Sequence, residues 1–280
     1  MTTVDVGTRR SQRTAGNDGG LRAWPLRKPA LWILAKGGVL LLVLWSVIGL
    51  LFVELLDDGP IGDADRAGAE WLEDRRTPTW NSVTYYGSML SETLVKVALV
   101  AVVGSVMVAI WRRWHDGVFL AVVVIFEATI FVISSFIVGR DRPPVERLDD
   151  AAPSGSFPSG HSAAAVAFYA SLFVIVRWHT QNRAVRSIFA VVAVVVPIVV
   201  AVSRTARGMH YPIDVVAGML LGFASIPVVR AAISAGVDEI DQEATDDDVD
   251  EVRHASAAPD RVRRLDLTVP DADRAAQLTG

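Results

Sequence analysis

Three short polar islands interrupt the hydrophobic sequence, and their residue types suit phosphoryl transfer. They are Arg142-Pro143, Pro158-Ser159-Gly160-His161, and Ser203-Arg204 followed by His210 and Asp214. Together they offer two histidines, two arginines, a Ser-Gly turn and one carboxylate. Such a set can hold a phosphate, attack it and protonate the group that leaves. Polar residues are costly in apolar sequence, so a cluster of them points to function.

The second island precedes an alanine-rich apolar run. Pro158 fits a first helical turn, and Gly160 lets backbone approach a ligand closely. The free N–H groups of that helix start would face an anion, with the helix dipole in support. Ser159 can donate a further hydrogen bond, and His161 stands one turn in, where it can act as acid or base near neutral pH. Taken alone, the same four residues also describe a plain helix cap with a surface histidine.

In the third island His210 and Asp214 are four residues apart at a helix start, which puts both on one face. A carboxylate on one ring nitrogen fixes the tautomer and leaves the other nitrogen as a nucleophile. Arg204 can grip phosphate oxygens with its planar fork. Gly218 and Gly222 continue the same face and permit close helix packing behind the site. In the first island Arg142 is the second phosphate clamp. Arg140 is either a third clamp or the partner of Asp141 or of another acid in its loop.

The elements that must position these islands are membrane helices. The 280-residue chain is 51% hydrophobic, with a mean hydropathy of +0.37, which indicates an integral membrane protein. Six apolar segments lie near Ala30–Val53, Thr93–Trp111, Val118–Val138, Gly160–Trp178, Val185–Val202 and Ile213–Val229. Each has about 17–25 residues, enough to cross a hydrocarbon core of about 30 Å. Their continuous apolarity predicts helices rather than the alternating strands of a barrel. The expected fold is therefore all-α, a six-transmembrane-helix bundle.

The chain has no cysteine, which excludes disulfides, thiolate metal sites and a cysteine-nucleophile phosphatase. The net charge of −4 resides mostly outside the spans, and no broad basic surface suggests nucleic acid. Residues 1–29 read as a cytoplasmic N-terminal tail, 30–230 as the membrane domain, and 231–280 as an acidic cytoplasmic tail without structure. Within that tail Asp246-Asp247-Asp248 is a solvated acidic stretch in preference to a cation site. Arg9-Arg10 lies too far from the first apolar run for a twin-arginine signal and reads as a cytoplasmic anchor.

Cations in the connections set the orientation. Arg9, Arg10, Arg13, Arg22, Arg27, Lys28, Arg112, Arg113 and Arg183 fall on one side. The other side holds Arg66, Arg75, Arg76, Arg140, Arg142, Arg147, Arg204 and Arg207, several of which belong to the islands. The bias predicts a plasma-membrane protein with both termini cytoplasmic and all three islands on the outer face. Trp71, Trp80, Tyr85 and Tyr86 in the first outer connection suggest an amphipathic segment at headgroup depth. Within the spans, Glu127 is either a structural carboxyl or part of a polar path, and Lys96 either snorkels to the interface or reaches the site. The oligomeric state is left open.

With these motifs the chain resembles the type 2 phosphatidic acid phosphatase superfamily of membrane lipid phosphatases. That family carries Lys-x6-Arg-Pro, Pro-Ser-Gly-His and Ser-Arg-x5-His-x3-Asp. The second and third patterns are intact at Pro158–His161 and Ser203–Asp214, while the first keeps Arg142-Pro143 but has Ser135 where the family has lysine. The resemblance implies that His210 attacks phosphorus to form a phosphohistidine, that Asp214 orients it, and that His161 protonates the leaving oxygen. It further implies that Arg142, Arg204, Ser159 and the Gly160 amide bind the phosphoryl oxygens without a metal or other cofactor. Arg140 or Arg207 would compensate for the missing lysine. The implied partner is a lipid phosphate in the bilayer, with phosphatidic acid, phosphatidylglycerol phosphate and polyprenyl pyrophosphates such as undecaprenyl pyrophosphate as candidates. A phosphotransferase using the same intermediate, and a non-catalytic lipid-phosphate binder, are the alternatives.

Overall fold

The computed structural model describes residues 24–112, 114–151 and 153–256. The described segments contain eight helices: α1 (Lys28–Leu55), α2 (Pro60–Glu73), α3 (Pro78–Met89), α4 (Thr93–Trp111), α5 (Trp114–Val138), α6 (Gly160–His179), α7 (Arg183–Ala206) and α8 (Pro212–Ser256). Six of them, α1, α4, α5, α6, α7 and the part of α8 to Ile240, are long and apolar enough to cross a membrane. These are the six spans that the apolar runs predict; α4 has the bounds of its run and the other five extend beyond theirs.

Local sequence accounts for the helix starts. Prolines occupy the first turns of α1, α2 and α3, where no backbone donor is lost. Thr77 caps α3 by accepting from the Trp80 N–H at 3.1 Å, and Asn182 caps α7 by accepting from the Ala184 and Val185 N–H groups. The Glu92 carboxylate accepts from the Thr93 N–H at the start of α4. Gly139 ends α5 at φ +61 and donates back to the Ser135 carbonyl at 3.1 Å. That left-handed turn is open to glycine at little cost, and it sends the chain sideways into the first island.

The bundle is inside-out relative to a soluble protein. Leu40, Leu94, Ile110, Val191 and Val194 are exposed on its flanks, as expected for surfaces facing lipid. Its centre is α6, whose Ala163, Ala164, Ala165 and Ala167 are buried and which packs chiefly against α7 and α5. Small residues matter because lipid tails are as apolar as leucine, leaving close van der Waals packing to hold helices together. A Cβ on Gly218 would collide with the Ser159 carbonyl, and one on Gly222 with the Ala163 carbonyl. These two glycines bring α8 against the start of α6.

The connection between α1 and α4 folds into α2 and α3 rather than one amphipathic segment. Trp71, Tyr85 and Tyr86 are exposed on them, and Arg75 lies 3.8 Å over the Trp71 ring. A further correction concerns the tail read as unstructured from residue 231. Residues 231–256 are helical, and the stretch from Val237 to Ser256 holds no glycine or proline to stop a helix. Residues from Asp238 onward form a separate unit. Arg9-Arg10 and residues 257–280 lie outside the described residues.

Arg140 is the hub at the island-bearing end of the bundle. Its NH1 donates to Asp214 Oδ1 at 2.6 Å, and its NH2 donates to Asp57 Oδ1 at 2.6 Å and Asp65 Oδ2 at 2.9 Å. The guanidinium stacks 4.6 Å from the Phe52 ring and 4.0 Å from the Tyr211 ring. Asp65 also accepts from the Ile213 N–H at 2.8 Å, which satisfies an orphan donor at the start of α8. Burial by itself would lower the Arg140 pKa, but Asp214, Asp57 and Asp65 outweigh it and raise the group above its ordinary value. Asp65 is raised as well, but by burial, despite the Ile213 N–H and Arg140.

Arg140 thus ties the end of α1, α2 and the start of α8 to the loop after α5. Removing one partner of a buried charge cluster costs about 3–5 kcal/mol. Arg140→Met is therefore expected to lower the thermal unfolding midpoint in detergent by several degrees, whereas Arg75→Ala at the exposed surface changes stability by no more than about 0.5 kcal/mol. An Arg140→Met midpoint equal to wild type would contradict this role.

Candidate active site

The three islands converge on one cavity of about 390 Å³. Its polar part is lined by Arg142, Gly160, His161, Arg204 and His210, and its apolar part by Val97, Val124, Ile125, Ala128, Phe131 and Val132 of α4 and α5. Five of the eight residues singled out in the sequence therefore share a wall. Ser159, Asp214 and Arg140 stand behind it.

Each arginine on the wall is held by neighbours. Arg142 donates from NH1 to the Met209 carbonyl at 2.7 Å and from NH2 to the Ser154 carbonyl at 3.3 Å. Arg204 donates from NH1 to Ser88 Oγ and to Asp149 Oδ2, each at 2.9 Å. Its Nε is buried without a hydrogen-bond partner, leaving a donor for an anion. Asp149 also takes a two-pronged bond from Arg207, at 2.7 Å and 2.5 Å. Burial pushes the Asp149 carboxyl up, but Arg207 and Arg204 overcome it and hold the group below the usual carboxylate range. Arg207 thus clamps the loop instead of lining the cavity, and Gly208, at φ +72, turns the chain from it toward His210.

His210 is buried, with Nδ1 2.8 Å from the Ser156 carbonyl oxygen. A carbonyl only accepts, so Nδ1 carries the proton and Nε2 keeps its lone pair. The Asp214 Oδ2 lies 3.9 Å from Nδ1, too far for a hydrogen bond. It accepts instead from the Tyr211 N–H at 2.9 Å, while Oδ1 is held by Arg140. The expected His210–Asp214 pair is thus a near neighbour pair, and the tautomer is set by Ser156, a residue the motifs do not mark. Burial first, then the charges of Arg204 and Arg142, hold His210 well below the ordinary histidine range.

At the start of α6 the Ser159 hydroxyl oxygen accepts from the Ser162 hydroxyl at 3.1 Å and the Ser162 N–H at 3.5 Å. Ser159 is fully buried and serves as the helix cap, which takes it away from the cavity face. Gly160 does line the cavity, and a Cβ there would meet the Phe131 ring at 2.5 Å. The close approach that demands glycine is to Phe131. His161 points into the cavity with Nε2 3.9 Å from Glu92 Oε2, and its carbonyl accepts from Ser91 Oγ at 2.8 Å. Arg140 does not reach the cavity because three carboxylates occupy it. Ser156, Asp149, Ser88, Asp57 and Asp65 carry no motif, so only a search for acids able to neutralise the island arginines could have flagged some of them.

Residues 116–236 match the profile of the PAP2 superfamily. The chain is 25% identical over 183 residues to phosphatidylglycerophosphatase B of Bacillus subtilis (strain 168), covering 65% of this chain and 89% of the relative. Among solved structures, it is similar to the transmembrane PAP2 type phosphatidylglycerolphosphate phosphatase from Bacillus subtilis, with a TM-score of 0.61 and 24% identity, covering 68% of this chain and 92% of that one. It also matches Aquifex aeolicus LpxE at a TM-score of 0.44 and 20% identity, over 59% of this chain and 92% of that one. The segment of this six-helix membrane protein that matches the PAP2 superfamily contains all three islands.

Proposed function

We propose that the chain is a lipid phosphate or pyrophosphate phosphatase that acts through a phosphohistidine intermediate at the outer membrane face. The observation that carries this reading is the single cavity that joins two histidines and two arginines to an apolar wall between α4 and α5. A charged headgroup suits the first part and a lipid chain the second. The curated relative is named for phosphatidylglycerophosphate, which makes that lipid the first substrate to try.

In the proposed cycle the Nε2 lone pair of His210 attacks phosphorus. The bond from phosphorus to the bridging oxygen breaks as His161 gives that oxygen a proton. Arg142, Arg204 and the amides at the start of α6 bind the phosphoryl oxygens as their charge redistributes. Glu92 Oε2 lies 3.9 Å from His161 Nε2. Deprotonated by that step, His161 then takes a proton from water, whose oxygen attacks the phosphohistidine and releases inorganic phosphate and His210.

Purified protein in detergent with EDTA is expected to release phosphate from phosphatidylglycerophosphate or phosphatidic acid. Absence of release from every lipid phosphate and pyrophosphate tried would reject the phosphatase reading. A release that depends on added alcohol, with the phosphoryl group appearing on it, would identify a transferase instead.

Three further outcomes are expected. His210→Ala should abolish turnover of both a lipid phosphate and para-nitrophenyl phosphate, whereas His161→Ala should lose much more rate on the lipid, whose alkoxide needs a proton, than on the aryl phosphate. Aryl phosphate rescue of His210→Ala would exchange the two roles. For His210, protonation destroys the nucleophile, so a lowered pKa moves the acid limb to lower pH. After correction for substrate ionisation, kcat/KM on para-nitrophenyl phosphate should fall only below about pH 6.5, the ordinary histidine value. A limb assigned to His210 at or above that pH contradicts its burial. Finally, with no native cysteine, Asp74→Cys and Arg147→Cys should react with an impermeant thiol reagent in intact cells while Gln181→Cys stays protected. The reverse pattern would invert the orientation.

A further inference from the structure

The first island departs from its family pattern at Ser135, and the fold shows why serine there cannot stand in for lysine. Ser135 is fully buried, its hydroxyl donates to the Val132 carbonyl of its own helix at 2.9 Å, and the catalytic cavity is not lined by it. Arg140 and Arg207, the nearest replacements in sequence, are consumed by Asp57, Asp65 and Asp214 and by Asp149. A cation does enter the cavity from another helix. Lys96, in the first turn of α4, lies on the wall with Arg142, His161, Arg204 and His210, close enough for its charge to act on His161. It lies outside the segment 116–236 that matches the family.

Glu127 of α5 lines the same cavity. It is completely buried, and neither carboxylate oxygen has a hydrogen-bond partner. It stands 11 residues before the end of α5, about 16 Å along the helix axis from that end. A carboxylate at such depth is costly unless a cation compensates it. The cation whose field reaches it is Lys96, and the carboxylates that act on Lys96 are Glu127 and Glu92.

We infer that Lys96 is a third cation of the phosphate pocket, supplied by α4 in place of the absent lysine of α5, and that Glu127 is its positioning residue. A lysine this near a helix end ordinarily snorkels outward to the headgroups. Here Lys96 shares the cavity with the deeper Glu127, with His161 and with the two arginines instead. Glu127 does not close on Lys96 with a hydrogen bond, so the ammonium keeps its donors for phosphoryl oxygens. The arrangement rests on the phosphatase reading above, and it assigns Lys96 and Glu127 to binding of the doubly charged phosphoryl group.

The test uses the full-length protein in detergent and orthovanadate as the phosphoryl probe. Its binding is followed by calorimetry, which needs no turnover, beside steady-state kinetics on a lipid phosphate. Lys96→Ala is expected to weaken orthovanadate binding about tenfold and to lower kcat/KM about tenfold to hundredfold, while the protein still unfolds in one cooperative thermal transition. Lys96→Arg should stay within about threefold of wild type on both readouts, since it restores the charge. Glu127→Gln should have a smaller effect than Lys96→Ala, and the double variant should be no worse than Lys96→Ala alone, because the carboxylate acts only through the lysine. Unchanged orthovanadate binding by Lys96→Ala would overturn the role of Lys96. Additive losses in the double variant, or tighter binding by Glu127→Gln, would overturn that of Glu127. Either result leaves the phosphatase reading standing if wild type turns over, and a wild type that binds orthovanadate without turning over any lipid phosphate would reject that reading while Lys96 is still tested.

Discussion

The geometry of this site depends on a buried cation shared by three carboxylates. Arg140 joins Asp57, Asp65 and Asp214 within 2.9 Å, from the turn after α1, from α2 and from the start of α8. Each carboxylate would be costly to bury alone, and so would the guanidinium. The group is stable only when the three segments meet, which makes their relative placement an all-or-none matter. Since Asp214 begins the helix that follows His210, fixing Asp214 fixes where His210 enters the cavity. The Phe52 and Tyr211 rings on the guanidinium restrict its orientation.

Above this cluster the backbone does much of the positioning. The Ser156 carbonyl selects the His210 tautomer, and the carbonyls of Met209 and Ser154 orient Arg142. Backbone groups cost little to hold in place once the chain is packed, so they preorganise a site with less entropy loss than long side chains. The close crossing of α6 and α8 at Gly218 and Gly222 supplies that packing. It lets the Asp214 carbonyl accept from the Ser159 N–H at 2.9 Å, which joins the second island to the third directly.

The cavity is also divided by chemistry. Arginines and histidines line part of it, and valines, Ile125 and Phe131 of α4 and α5 another part. Asp149 neutralises part of the positive field by pairing with Arg204 and Arg207, yet leaves the Arg204 Nε unpaired. Burial first, and the clustered cations after it, keep His210 neutral, and neutrality is what a nitrogen nucleophile requires.

Much of this was legible in the sequence, because it rests on local rules. Helix length and continuous apolarity marked all six spans, and motif spacing marked the residues at their ends. Arg142, Gly160, His161, Arg204 and His210 followed from that spacing and do share one wall. Pairings between distant segments were not legible. The four-residue spacing of His210 and Asp214 guarantees nearness but not a bond, and the competing Tyr211 N–H and Arg140 take both carboxylate oxygens. Arg140 finds Asp57 and Asp214 at separations of 83 and 74 residues, where no periodicity carries information. The sequence left Lys96 between the interface and the site, and Glu127 between a structural carboxyl and a polar path, and the packing of α4 beside α5 gave them a common cavity. Local chemistry and helix geometry belong to the sequence, while the choice of partner for each buried charge belongs to the tertiary fold, because only there do desolvation and distance compete.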